Sequence, residues 1–176
     1  MSLCFWVCNV AVVGMGYAYS HDGINWIKPT LDVKTGTNIV LAKKRDSGTV
    51  YLDFMETDPQ RRYKMWLATT NDDDSELSLR CSPDGIHWSE SLASAFTGGK
   101  RTTVFYNPFR KKWVYSIRAD LLNRRARRYQ EHDNVTAPLQ SSEIVEWVGA
   151  DYLDPRNPNP KYNAIESQLY NLDAAP

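Results

Sequence analysis

Apolar and polar residues alternate with a period of two through much of the chain. Met15 to Ser20 (MGYAYS) and Glu76 to Cys81 (ELSLRC) show the pattern and predict half-buried strands. TNIVLAKK (37–44), TVYLDFME (49–56), RYKMWLATT (62–70), RTTVFYN (101–107), KWVYSIRAD (112–120) and RRARRYQE (124–131) are rich in β-branched or aromatic residues, or in the last case basic, and turn residues separate them. All are predicted strands. The apolar run from Leu3 to Met15 reads as a buried strand continuing into MGYAYS. It is too short for a transmembrane helix and lacks the basic flank and clean cleavage pattern of a secretory leader. After a Pro/Asn loop, DPRNPNPKYN (154–163), the stretch ESQLYNL (166–172) predicts one more strand. No segment predicts an amphipathic helix of three turns; LLNRRARR comes nearest, and its apolar face is too narrow.

The chain repeats itself. Ser20-His21-Asp22-Gly23-Ile24-Asn25-Trp26 returns 62 residues later as Ser82-Pro83-Asp84-Gly85-Ile86-His87-Trp88, with five of seven positions identical. Asp-Gly supplies the positive-φ residue of a tight turn, the Ser and Asp side chains bond nearby backbone N–H groups, and Trp covers the turn. A degenerate third turn, His132-Asp133-Asn134, follows the basic strand, with Trp147 further on. About four strands fall to each repeat. Four-stranded units at about 50 to 60 residues fit β-propeller blades better than a sandwich, whose strands have no such period.

The expected fold is therefore all-β, one domain of antiparallel four-stranded blades, with blade-like repeats around 15–88, 89–135 and 136–176. A five-bladed ring needs about 250 to 300 residues, and 176 residues hold about three blades. The expectation is an incomplete propeller. Open blade edges then predict self-association.

Composition narrows the partners. Lys+Arg and Asp+Glu both number 21, so the neutral chain has no global field to hold a polyanion or a charged membrane surface. Neither nucleic acid nor membrane is expected. Six Trp and ten Tyr suit strands and a stacking surface. Cys4, Cys8 and Cys81 are an odd set, read as buried thiols rather than a disulfide framework or zinc site. Asp72-Asp73-Asp74 lacks the ligand spacing of a calcium loop and reads as a solvated hairpin tip. His21, His87 and His132 sit in turns with no shared metal-ligand spacing, so no metal or other cofactor is expected.

The motifs Ser20 to Pro29 (SHDGINWIKP), Asn38-Ile39-Val40, Asp53 to Met65 ending RYKM, Ser82 to Trp88, and Glu166 to Asn171 (ESQLYN) resemble, in this order, the five-bladed propeller glycosidases and glycosidase-like proteins of the furanosidase superfamily. The Asp-box of sialidase propellers, S-x-D-x-G-x-x-W, is a competitor. It carries one residue between Asp and Gly that both copies here lack.

The resemblance implies a funnel on the propeller axis where carboxylates on inner strands surround a sugar ring. Glycoside hydrolysis needs one carboxylic acid to protonate the leaving oxygen and a second carboxylate as base or nucleophile. Carried over, Asp53 in TVYLDF and Glu166 opening ESQLYNL become the candidate catalytic acids. Thr102 and Thr103 stand where a further acid is expected. Arg118 and Asp120 form a candidate sugar-hydroxyl clamp, or simply a strand-end ion pair. Trp26 and Trp88 are candidate stacking platforms, although their place in the repeat suits structural covers between blades; Trp66 and Trp113, inside strands, are core residues. The expected function is carboxylate-catalysed hydrolysis of an oligo- or polysaccharide. The alternative is a non-catalytic carbohydrate-binding or interaction propeller.

Overall fold

The computed structural model describes residues 3–8, 14–43, 45–70, 75–96, 101–121, 124–137 and 139–172. Among these residues the chain forms three antiparallel sheets and no α-helix. The first sheet holds β1 (Leu3–Cys8), β2 (Met15–Ser20) and β3 (Ile39–Leu41). The second holds β4 (Ser47–Leu52), β5 (Tyr63–Thr70), β6 (Ser75–Ser82) and β7 (Ala93–Phe96). The third holds β8 (Thr103–Asn107), β9 (Lys112–Leu121), β10 (Arg124–His132) and β11 (Val145–Gly149). In every sheet each strand pairs with its neighbour in sequence, so each is a meander of consecutive hairpins. No helix among the described residues is long and apolar enough to cross a membrane.

The sheets stack in chain order because the middle one is apolar on both faces. Along β5 the pleat sends Met65 and Leu67 toward the first sheet, where they meet Met15 and Val40. Trp66 and Ala68 point the other way, onto Val104, Trp113, Tyr115 and Ile117 of the third sheet. Met65, Leu67, Val104 and Val114 are all at most 1% exposed. The first strands of the second and third sheets, β4 and β8, lie against each other. Tyr51 of β4 meets the Trp113 ring edge-on at 5.2 Å.

The repeated turn follows β2 in the first sheet and β6 in the second, and its bonding is the same in both. Gly23 and Gly85 take φ of 76° and 78°. The Ser20 hydroxyl accepts from the Gly23 amide at 2.9 Å, and Ser82 from Gly85 at 2.9 Å. Asp22 Oδ1 accepts the amides of Ile24 and Asn25, each at 2.8 Å, and Asp84 does the same for Ile86 and His87. The third turn, after β10, is built differently. Asn134 Oδ1 accepts from the Thr136 amide at 2.9 Å, and Asp133 takes the Lys112 ammonium at 2.7 Å.

Two expectations change. The apolar run is not one strand continuing into MGYAYS: β1 folds back on β2, with Leu3 opposite Ser20 and Cys8 opposite Met15. Pairing answers backbone groups that one long unpaired strand would leave open. Residues 166–172 join no ladder, because β10 already has β9 on one side and β11 on the other from Ala126 onward. The segment's backbone is tied to the third sheet by a bond from Leu169 N to the Arg125 carbonyl at 3.0 Å and one from the Thr103 hydroxyl to the Leu172 carbonyl at 2.7 Å. The sheets end at Leu41, Phe96 and Gly149. Each turn lies inside its sheet, before the last strand. The acidic run 72–74 lies outside the described residues, as do the side chains of Cys4 and Cys8. Cys81 is a buried free thiol, and burial pushes its pKa up.

Candidate functional site

Asp53 follows the last residue of β4 and answers a buried cation. Lys64, on the neighbouring strand β5, has a side chain only 1% exposed, and its ammonium donates to Asp53 Oδ2 at 2.8 Å, Glu56 Oε2 at 3.0 Å and the Arg61 carbonyl at 3.1 Å. All three ammonium protons are used. Asp53 Oδ1 accepts the Met55 amide at 3.0 Å. For Glu56, burial raises the carboxyl pKa, but the Asp58 amide and Lys64 outweigh it and the net shift is downward. Asp58 caps the short 3₁₀ turn Pro59–Arg61, accepting from Gln60 N at 2.9 Å. Lys64 also lies 5.9 Å from the centre of the Trp113 ring, which fixes this carboxylate cluster at the start of β9.

Glu166 lies at the other end of the strands. It accepts from Arg124 Nε, and its second oxygen accepts from Arg156 Nη2 at 3.0 Å. The Arg124 hydrogen bond, followed by the charges of both arginines, holds the carboxyl below the ordinary glutamate value. Arg124 opens β10 opposite Leu121, whereas Trp113 pairs with His132 at the opposite end of the same ladder. From Trp113 to Leu121 the strand runs about 26 Å at about 3.3 Å per residue. A hydrolytic pair needs its carboxyls about 5 to 9.5 Å apart. Asp53 and Glu166 are not brought together.

Trp88 and Trp26 belong to the turns. Trp88 packs against Met15, Val40, Met65 and Leu67, and its ring N–H donates to the Gly85 carbonyl at 3.1 Å. Its apolar surface serves the contact between the first two sheets. Trp26 is 38% exposed in the corresponding turn of the first sheet.

Arg118 and Asp120 do form an ion pair at 2.9 Å, near the end of β9 and far from Asp53. Their face of the third sheet carries a second group, which includes Arg125 of the basic strand RRARRYQE. Arg118, Arg125, Arg101 and Tyr170 line a pocket of about 190 Å³. The guanidinium carbons of Arg125 and Arg101 lie over the Tyr170 ring, 4.6 and 5.5 Å from its centre. Tyr170 reaches this place through the Leu169 and Leu172 backbone bonds to Arg125 and Thr103.

Arg101 has φ of 63°, in the left-handed region that costs a non-glycine residue about 1 to 2 kcal/mol. Its neighbours hold it there. Asp46, the residue before β4, accepts the Arg101 amide at 2.9 Å, and the Arg101 carbonyl accepts from Arg127 Nη2 at 2.7 Å. Arg127 is fully buried, with Nε on the Ser116 hydroxyl at 2.9 Å. Of the two aspartates flanking β4, it is therefore Asp46 that stands beside this pocket, while Asp53 stands about 23 Å along the strand. An aspartate before a Ser-Gly strand start was the available signal. Nothing local marks Arg101, since its conformation is imposed by bonds to residues 55 positions before it and 26 after it.

Compared with models of known protein families, with curated protein sequences and with solved structures, the chain matches none.

Proposed function

We propose that this chain is part of a β-propeller of the glycosidase-like type, and that it binds carbohydrate without using Asp53 and Glu166 as a hydrolytic pair. The propeller reading is supported by three consecutive meanders stacked face to face, with β4 against β8 as adjacent first strands. One observation favours binding over hydrolysis by the expected acids. Asp53 is neutralised by Lys64 and Glu166 by Arg124 and Arg156, at opposite ends of the sheets. A general acid must hold a proton near neutral pH, and the Arg124 hydrogen bond holds the Glu166 carboxyl below its ordinary value. The sugar site on this reading is the pocket beside Asp46, Arg101 and Tyr170. Exposed strand β11 and the open outer edges of the sheets fit self-association, which sedimentation at tens of micromolar tests.

The test is a panel of soluble oligosaccharides measured by calorimetry for binding and by chromatography for cleavage. Binding without turnover is expected. Turnover that a folded Asp53→Asn variant abolishes would overturn the reading. Turnover abolished instead by Asp46→Asn would favour a hydrolase built around Asp46, a second reading supported by that residue's contact with Arg101.

A further inference from the structure

We propose that the Arg101–Arg118–Arg125–Tyr170 pocket binds an oxyanion, the carboxylate or sulfate of an acidic sugar. For the sugar, this rests on the carbohydrate-binding reading above; for the anion, it rests on the pocket alone.

Charge is the first argument. Three guanidinium groups meet two carboxylates among the described residues: Asp120 answers Arg118 at 2.9 Å, and Asp46 lies 3.7 Å from Arg101 Nε. Among the described residues Arg125 has only the Tyr170 ring as its side-chain partner. One positive charge is left over in a concave place, where low-dielectric walls strengthen its field. Hydrogen bonding is the second. Arg101 Nε is enclosed and has no hydrogen-bond partner among the described residues, so Asp46 at 3.7 Å answers the Arg101 guanidinium in charge but not with a hydrogen bond at this nitrogen.

Preorganisation is the third. The Tyr170 ring lies against the guanidinium groups of Arg101 and Arg125, which reduces the freedom these forked donors lose on meeting an oxyanion. The strained Arg101 backbone is held from both sides by Asp46 and the buried Arg127. Strain of this kind persists only where the surroundings impose it, and it gathers at binding sites. A neutral sugar offers hydroxyl acceptors but leaves the surplus positive charge unbalanced. A carboxylate or sulfate accepts two or more of these donors.

Calorimetry on the full chain decides the matter with four probes: an oligogalacturonate, the same oligomer as its methyl ester, a sulfated oligosaccharide and inorganic sulfate. Arg125→Gln and Arg118→Gln are measured beside the unaltered chain, with circular dichroism and thermal melting to establish that each is folded. The acidic oligomers should bind at least about ten-fold tighter than the ester, with the preference falling as salt rises and lost in either variant. Preference for the carboxylated over the sulfated oligomer, or the reverse, identifies the source of the oxyanion. Equal binding of acid and ester, unchanged in both folded variants, overturns the anion pocket and leaves the carbohydrate reading standing. Binding of inorganic sulfate, lost in the variants, without binding of any sugar supports the pocket and overturns the carbohydrate reading. Binding of none of the four overturns both.

Discussion

Asn25 and His87 occupy the same position in the two copies of the turn and make the same contact with the aspartate three residues before them. Asn25 Nδ2 donates to Asp22 Oδ2 at 2.7 Å, and His87 Nδ1 lies 2.6 Å from Asp84 Oδ2. The histidine does something the asparagine does not. Its second nitrogen reaches Asp32, 3.0 Å away in the loop between β2 and β3, and so ties the second sheet's turn to the first sheet.

This tie depends on pH. Hydrogen bonds that the His87 ring donates to Asp84 and then to Asp32 raise the His87 pKa above 6.5, and the bond to His87 holds Asp32 below its ordinary value. A raised histidine contributes stability that is fully present below its unfolded pKa and is lost as pH rises through its folded one. A depressed aspartate contributes above its unfolded pKa and loses that contribution as pH falls through its folded one. Melting temperature should therefore decline as pH climbs from 6.5 through the raised His87 value. His87→Asn keeps the Asp84 contact, as Asn25 does in the first turn, and should flatten that decline. An unchanged slope in the variant counts against the tie.

Ser82 is fully buried, and its hydroxyl accepts from the Gly85 and Asp84 amides while donating to Asp84. Ser82→Ala strands the buried Gly85 amide. A loss of about 1 to 2 kcal/mol is expected, read as a lower urea midpoint with unchanged slope. Gly85→Ala, forced to a φ of 78°, should also destabilise.

Lys64 presents a different balance. Removing it leaves Asp53 and Glu56 facing each other with side chains only 13% and 19% exposed. Lys64→Ala should cost about 3 to 5 kcal/mol in urea denaturation, whereas combining Lys64→Met with Asp53→Asn and Glu56→Gln should recover most of it. If Asp53 is the structural anion described above, Asp53→Asn alone lowers stability and leaves ligand affinity unaltered.

The two tryptophans of the repeat should separate. Trp88→Ala opens the contact between the first two sheets and is expected to cost about 2 to 4 kcal/mol. Trp26→Ala, at a more exposed position, should cost less by thermal melting. A larger loss from Trp26 would reverse the assignment of Trp88 as the inter-sheet cover.

The strands were legible because their signal is local. Period-two alternation sets the two faces of β5, and Ser-x-Asp-Gly closes its own hydrogen bonds within a few residues. The short strands β7 and β11 carried too little alternation to be seen, and ESQLYNL carried the composition of a strand without a free edge to pair with. The site was less legible. Asp53 was read as a candidate acid from its resemblance to a funnel aspartate ahead of RYKM, yet the pocket lies at the other end of β4. Arg118 and Asp120 were legible as a pair, but not as part of a basic pocket with Arg101, Arg125 and Tyr170.

The sequence by itself determined the all-β character, the repeated turn and the residues that bury, since propensity, pleat and turn chemistry act over a few neighbouring residues. Only the tertiary structure decided which charges meet. Lys64 reaches Asp53 across one hairpin, Arg101 reaches Asp46 across 55 residues, and Tyr170 comes to Arg125 across 45. A carboxylate is an acid, a structural anion or a ligand clamp according to the cation beside it, and those cations arrive by the stacking and pairing of strands far apart in the chain.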